Sequence, residues 1–168
     1  MIVVTGSPDL KFSAVDAASV QARHALMQYF HELETRFSGG FDADDALDEA
    51  AASFNPPAGL FIVALIGDDV VGCGALQWLD HDAAEIKRMW VDSKRRGVGL
   101  GKRLLAHLEG EARRTGRTRV VLDTNETLTE AISMYRTLGY VAIDRYNENP
   151  YAHHWFEKVL TPPDSNQH

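Results

Sequence analysis

Residues 85–112 read EIKRMWVDSKRRGVGLGKRLLAHLEGEA, and this stretch decides the fold. Glu85 to Val91 is a β-type run, and Lys94 to Gly101 is basic and glycine-rich. Beyond it Leu100, Leu104, Leu105, Leu108 and Ala112 recur at helical spacing, while Lys102, Arg103, Glu109, Arg113 and Arg114 fall largely on the other side. The spacing predicts strand, turn and amphipathic helix. Gly97, Gly99 and Gly101 remove side chains where the chain enters that helix, so several backbone N–H groups can converge on one concave spot. A helix start adds unpaired N–H groups and the positive end of its dipole. With Arg95, Arg96 and Lys102 alongside, the turn describes an anion site suited to a diphosphate.

Rival phosphate loops fit less well. A Walker A loop needs Gly, four residues, then Gly-Lys-Ser/Thr, but Arg103 follows Gly101-Lys102 and Arg96 stands at the first glycine position. The dinucleotide fingerprint needs GxGxxG, and Lys102 stands where its third glycine belongs. Asp123 could mimic the ribose-binding acid of that fingerprint, so a nucleotide-binding oxidoreductase is weakened as a reading without being excluded.

Arg96-Gly97-Val98-Gly99-Leu100-Gly101, followed by Lys102-Arg103-Leu104-Leu105, matches Arg-x-x-Gly-x-Gly. It resembles the acetyl-CoA-binding motif of the GCN5-related N-acetyltransferase (GNAT) superfamily. Glu130 to Tyr140, EAISMYRTLGY, is similar to the family's A-x-x-x-Y-x-x-x-G-[FY] helix and turn, and the resemblance spans roughly residues 60–160. It implies a mixed α/β fold with a mostly antiparallel twisted sheet of about seven strands, a parallel pair at the cofactor site and about four flanking helices. It implies that acetyl-CoA is the cosubstrate. Arg96, Gly97, Val98, Gly99, Gly101 and Lys102 would hold its pyrophosphate, and main-chain groups of Met89, Trp90 and Val91 would pair with the pantetheine arm.

The rest of the chain agrees with a cofactor-binding globular domain. At 168 residues it has the length of one domain, expected here over residues 1–160 with a disordered tail at 161–168. A hydrophobic fraction of 45% and a charged fraction of 24% are ordinary globular composition. One cysteine makes no internal disulfide, no apolar run reaches the roughly 20 residues of a membrane span, and Met1 to Val4 is too short for a signal peptide. The expectation is a soluble cytoplasmic protein with no membrane partner. A net charge of −7 argues against a general nucleic-acid binder. The charge is uneven: eleven of the basic residues between Lys87 and Arg119 crowd the motif region, while seven acidic residues crowd Glu32 to Glu49.

In chain order, Leu10 to Val15 reads as a strand, with Asp16 as N-cap of a helix from about Ala17 to Phe37. Val20, His24, Met27, Phe30, Leu33 and Phe37 form its expected core stripe, and Ser38-Gly39-Gly40 its stop. Asp42 to Ala52 reads as a second, acidic helix. Leu60 to Ile66 and Val70 to Trp78 make a hairpin about Gly67-Asp68-Asp69. After the motif helix, Thr118 to Leu122 is a strand that a crossover should place parallel to the Glu85 strand. A helix from about Thr129 to Leu138 and strands at Val141 to Ile143 and His153 to Val159 complete the chain.

Acyl transfer from a thioester to an amine needs a neutral amine, a polarised carbonyl and a proton for the leaving thiolate. Glu85 stands eleven residues before Arg96, and in that position it resembles the catalytic glutamate of the histone-acetylating branch of the family. The resemblance makes Glu85 the base and Tyr135 the acid that protonates the thiolate, with His153 and His154 as reserve bases. No histidine cluster has metal-ligand spacing, and no metal is needed for this reaction. The family's asparagine before the second motif is replaced by Leu128, with Asn125 three residues too early. The acceptor site is expected from Thr35 to Phe41, the acidic second helix, Leu79 to Ala83, and Tyr146, Asn147, Asn149, Tyr151, His154 and Trp155. That composition suits a small-molecule amine. A protein lysine or N-terminus, an acyl-CoA-sensing module without turnover, and assembly as a homodimer stay open.

Overall fold

A computed structural model describes residues 9–36, 43–96 and 99–162. Seven strands form one sheet: β1 (Leu10–Val15), β2 (Gly59–Ile66), β3 (Asp69–Trp78), β4 (Ala83–Val91), β5 (Arg119–Thr124), β6 (Val141–Ala142) and β7 (His154–Val159). The helices are α1 (Val20–Arg36), α2 (Ala43–Ser53), α3 (Leu100–Arg114) and α4 (Thr129–Thr137), with a 3₁₀ turn at Ser93–Arg95. The strand order is β1-β2-β3-β4-β5-β7-β6. Every neighbouring pair is antiparallel except β4 and β5, which α3 joins as the crossover. The expected mixed fold with its single parallel pair is the observed one.

The pleat divides the core into two layers. Ile62, Leu76, Ala84, Ile86, Val120, Leu122 and Phe156 pack with Leu104, Leu105 and Leu108 of α3 and Ile132 and Tyr135 of α4. Phe61, Val63, Cys73, Ala75 and Trp90 pack on the opposite face with Ala22, Ala25, Leu26 and Phe30 of α1 and Ala46 and Ala50 of α2. Alternate residues along each strand therefore serve different layers. Between Ile86 and Met89, however, both side chains join the α3 layer although three positions separate them. The register of β4 against β3 slips by one residue here, Trp90 lying opposite Cys73 and Lys87 opposite Ala75. Arg88 is the extra residue of this bulge, at φ 55°.

Two expectations about the first helix are corrected. Asp16 does not cap it: Asp16 Oδ1 accepts from Ala18 N at 2.7 Å, and the helix begins at Val20, with Ser19 Oγ accepting from Ala22 N at 3.2 Å. Ser19 competes better because it sits at the end of the turn, one step before the helical residues. The buried face is Ala22, Ala25, Leu26, Phe30 and Leu33, whereas Val20, Met27 and His24 are exposed. Small alanines let α1 lie close to the sheet, so a row containing them outcompetes the bulkier row beside it. Phe37, the Ser38-Gly39-Gly40 stop, Asp42, Met1 to Val4 and residues 163–168 lie outside the described residues.

Candidate active site

The site begins where two strands part. β4 and β5 pair only over Ala83–Arg119, Ala84–Val120 and Glu85–Val121, while β5 stays paired to β7 as far as Thr124–His154. From Ile86 onward β4 has no partner strand on its β5 side. Its main-chain groups on that side are available to an extended ligand, in the manner of an added strand. The opening is a cleft of about 1030 Å³, lined by Ile86 to Val91 on one wall and Leu122 to Asn125 on the other. The same cleft reaches Gly99, Leu100, Gly101 and Lys102 at the start of α3, and Tyr29, Glu32 and Glu49 on α1 and α2. It therefore joins a helix N-terminus to the α1 side of the sheet through the split.

The helix end of the cleft carries anion chemistry. Gly99 is the N-cap residue of α3 at φ 79°, a left-handed conformation that disfavours side chains, and no side chain caps the helix. The first-turn N–H groups thus keep the vacancies that a helix start leaves. Gly101 allows the close approach of α4: a Cβ there would stand 3.3 Å from Met134 Sδ. Lys102 is exposed and lines the cleft. Arg96 also lines it, but its guanidinium donates to Val91 O at 3.1–3.2 Å and to Glu32 Oε1. Gly97 and Val98 lie outside the described residues. Met89, Trp90 and Val91 line the split.

Tyr135 projects from α4 into the middle of the cleft and is 7% exposed. Its hydroxyl donates to Met89 Sδ at 3.9 Å, a weak acceptor that leaves the proton free for a better one. Burial pushes the phenol well above its usual range, with Tyr29 and Asp123 adding to the effect, so the hydroxyl keeps its proton.

Glu85 is neither on an edge strand nor at the surface; it lies on central β4 and is 4% exposed. Its Oε2 accepts from Tyr146 Oη at 2.6 Å and from Asn147 Nδ2 at 3.3 Å, and Lys87 Nζ stands 3.4 Å from Oε1. Glu85 is not among the residues lining the cleft, whereas Asp123 is. Asn147 Nδ2 also donates to Asp123 Oδ2, and Asn149 Nδ2 to Asp123 Oδ1 at 3.0 Å. Trp155 Nε1 donates to Asn147 Oδ1 at 2.9 Å, which fixes the orientation of that amide. Asn147 thereby bridges the carboxylates of β4 and β5 at the vertex of their split.

Several expected participants stand elsewhere. His153 is exposed and its Nδ1 accepts from Glu126 N at 3.2 Å; His154 stacks on Phe156 beside α4, and neither lines the cleft. His154 is turned away because β7 alternates its faces and the α1-side position falls to Trp155, while His153 precedes the strand and is held by Glu126 N. Asn125 lines the cleft, yet its amide donates to Tyr151 O at 2.7 Å and accepts from Thr127 N and Oγ1, both at 2.9 Å. It fastens the loop ahead of α4. Arg88, Asp123 and Tyr29 were missed as cleft residues. The signal for Arg88 was a charged residue inside the run IKRMWV; the signal for Asp123 was its place at the end of a strand parallel to the motif strand.

A family model described as acetyltransferase (GNAT) family matches residues 26–140. The chain belongs to the GNAT acetyltransferase family. This acetyltransferase is thus an acyl-CoA-dependent acyltransferase. It is 33% identical over 130 residues to an IAA acetyltransferase of Azospirillum brasilense, covering 76% of this chain and 83% of that relative. Among solved structures, a GNAT acetyltransferase of Staphylococcus aureus Mu50 superposes with a TM-score of 0.78 at 19% identity, covering 91% of this chain and all of the other. The PaiA N-acetyltransferase of Thermoplasma acidophilum, solved with coenzyme A, has a TM-score of 0.72 at 15% identity, over 90% and 99% of the two chains. Among the described residues of this acetyltransferase, no helix is long and apolar enough to cross a membrane.

Proposed function

We propose that this chain transfers an acetyl group from acetyl-CoA to the primary amine of a small polar molecule, by direct attack within a ternary complex. The observation that carries the reading is the split between β4 and β5, which runs from an uncapped helix N-terminus to a polar network at its vertex. The N–H groups of α3 and Lys102 take the pyrophosphate. The edge of β4 from Met89 to Val91, which has no partner strand there, takes the pantetheine arm, and a β4 amide polarises the thioester carbonyl.

Attack needs the amine without its extra proton. Asp123, which lines the cleft, receives that proton directly or through water, and Glu85 stands behind it through Asn147. The nitrogen forms a bond to the acetyl carbon, the carbon–sulfur bond breaks, and Tyr135 gives its proton to the departing thiolate. Binding in the cleft leaves room for both substrates at once, so no covalent enzyme intermediate is invoked. Cys73, fully buried and hydrogen-bonded to Arg88 O at 3.2 Å, has its thiol pushed up by burial and is no nucleophile here.

The test is thermal unfolding with acetyl-CoA, CoA and NAD at matched concentrations, followed by thiol release with a panel of amines. A ligand at about 100 times its dissociation constant stabilises by roughly 2.7 kcal/mol. Stabilisation by both CoA species and thiol release with an amine is the expected result. Stabilisation by NAD alone would overturn the reading, and CoA binding without release on any amine would favour an acyl-CoA-sensing module.

A further inference from the structure

Arg88 is the one non-glycine residue at positive φ among the described residues, and the bulge turns its side chain toward α1 and α2. The guanidinium carbon lies 5.9 Å from the Phe30 ring centroid and 5.8 Å from that of Phe54. Its neighbours compensate the charge poorly. Nη2 is 3.9 Å from Glu49 Oε2, a mostly exposed carboxylate; the Tyr29 hydroxyl adjoins it; and Nε is buried without a hydrogen-bond partner. A guanidinium has five N–H donors, and burying it with one long ion pair leaves much of its hydration unreplaced. Arg88 nevertheless lines the cleft, on the side of the sheet opposite α3. It is therefore separate from the helix end that suits the cofactor's phosphates.

We propose that Arg88 binds a carboxylate on the acceptor, so that the acceptor is an amino acid or another small primary amine carrying a carboxylate. The inference rests on the transferase reading above and specifies its second substrate. Flanking aromatic rings cover part of the guanidinium and leave its planar fork for a planar partner, which a carboxylate meets with two parallel hydrogen bonds. Lys87 lines the same cleft but is already paired with Glu85 at 3.4 Å. The acceptor's ammonium finds its own counter-charge in Asp123, which also lines the cleft. A zwitterion thus meets a cation at the bulge and an anion across the split, while a plain amine leaves Arg88 unanswered.

The experiment compares each of a panel of amino acids with its own carboxamide, in which the amine is kept and the negative charge removed. Thiol release from acetyl-CoA is read for each pair, and the thermal shift of the protein–CoA complex is read for the same pairs without turnover. The expected result is a preference of roughly 10- to 100-fold in kcat/KM for the acid over its amide, carried mainly by KM. Arg88→Gln abolishes the preference, Arg88→Lys restores part of it, and acetyl-CoA affinity changes little in either. Amides used as well as acids by the unaltered protein would overturn the inference while leaving the transferase reading intact. Absence of release with every acid and amide, alongside release with amines that carry no carboxylate, would overturn the inference alone, and absence of release on any amine would overturn both. Because the acid-to-amide comparison needs no variant, a failure of Arg88→Gln to fold leaves the test in force. If both variants fold, an equal loss on acids and amides would reduce Arg88 to a packing residue.

Discussion

The Tyr146 hydroxyl donates to Glu85 Oε2 at 2.6 Å. The loop between β6 and β7 thus reaches back to the strand that carries the cofactor motif and closes the α1 side of the split. A buried carboxylate needs several donors to stay in place, and Tyr146, Asn147 and Lys87 supply them. The hydrogen bonds tie the β6–β7 loop to β4, so its position is part of the cleft's geometry.

Tyr146→Phe removes a hydrogen bond to a charged group and leaves one carboxylate oxygen with only Asn147. The expected cost is about 1.5–3 kcal/mol, which for a chain of this size lowers Tm by roughly 3–12 °C. Differential scanning calorimetry checks it, and an unchanged Tm would mean that water replaces the phenol without cost.

Alkaline pH should weaken the fold. Burial raises the phenols of Tyr29, Tyr135, Tyr140 and Tyr146 above their usual range, and Glu85 and Glu109 add to it at Tyr146 and Tyr140. Above the unfolded phenol value near 10 the unfolded chain has released protons that the folded chain retains, so stability falls as pH rises. Urea midpoints measured from pH 8 to pH 11 should decline above about pH 10, and Tyr146→Phe should make the decline shallower.

Tyr135→Phe keeps the ring in the core and removes the proton donor. Turnover should drop by a factor on the order of 10², with the acetyl-CoA dissociation constant within about twofold of the unaltered protein. Single-turnover thiol release and calorimetric titration separate the two. A loss of affinity as large as the loss of rate would assign the hydroxyl to binding.

Asp123→Asn and Glu85→Gln distinguish the two carboxylates that Asn147 bridges. If Asp123 takes the amine proton, Asp123→Asn should lower kcat by roughly 10²-fold, and Glu85→Gln should cost less in rate. The reverse ranking would make Glu85 the base, reached through water.

Gly74→Ala tests the packing under the motif helix. A Cβ at Gly74 would stand 2.6 Å from Leu108 Cδ1, and Leu108 is fully buried. Overpacking of this kind costs about 1–3 kcal/mol. Leu108→Val should destabilise the unaltered protein but cost less, or even help, beside Gly74→Ala; additive effects in a double-mutant cycle would show that α3 shifts away instead.

Much of this protein is written in local pattern. The alternating and continuous apolar runs, the Gly67 hairpin, the helical repeat of Leu100 to Ala112 and the crossover it demands gave the strand order around β4 and β5 before any contact was known. The glycine-rich entry to α3 was likewise legible, because a helix start without a side-chain cap depends on local chain geometry. The choice of buried row on α1 was not legible, since Ala22 and Ala25 carry little hydrophobic signal and matter through how closely they let two elements approach. Tertiary structure alone decided which carboxylate meets the cleft. One extra residue in β4 changes which way Arg88 points, and a single amide, Asn147, joins Glu85 to Asp123 across residues far apart in sequence. Sequence spacing fixes what neighbours along the chain can do together; bulges and long-range hydrogen bonds fix which side chains share a site.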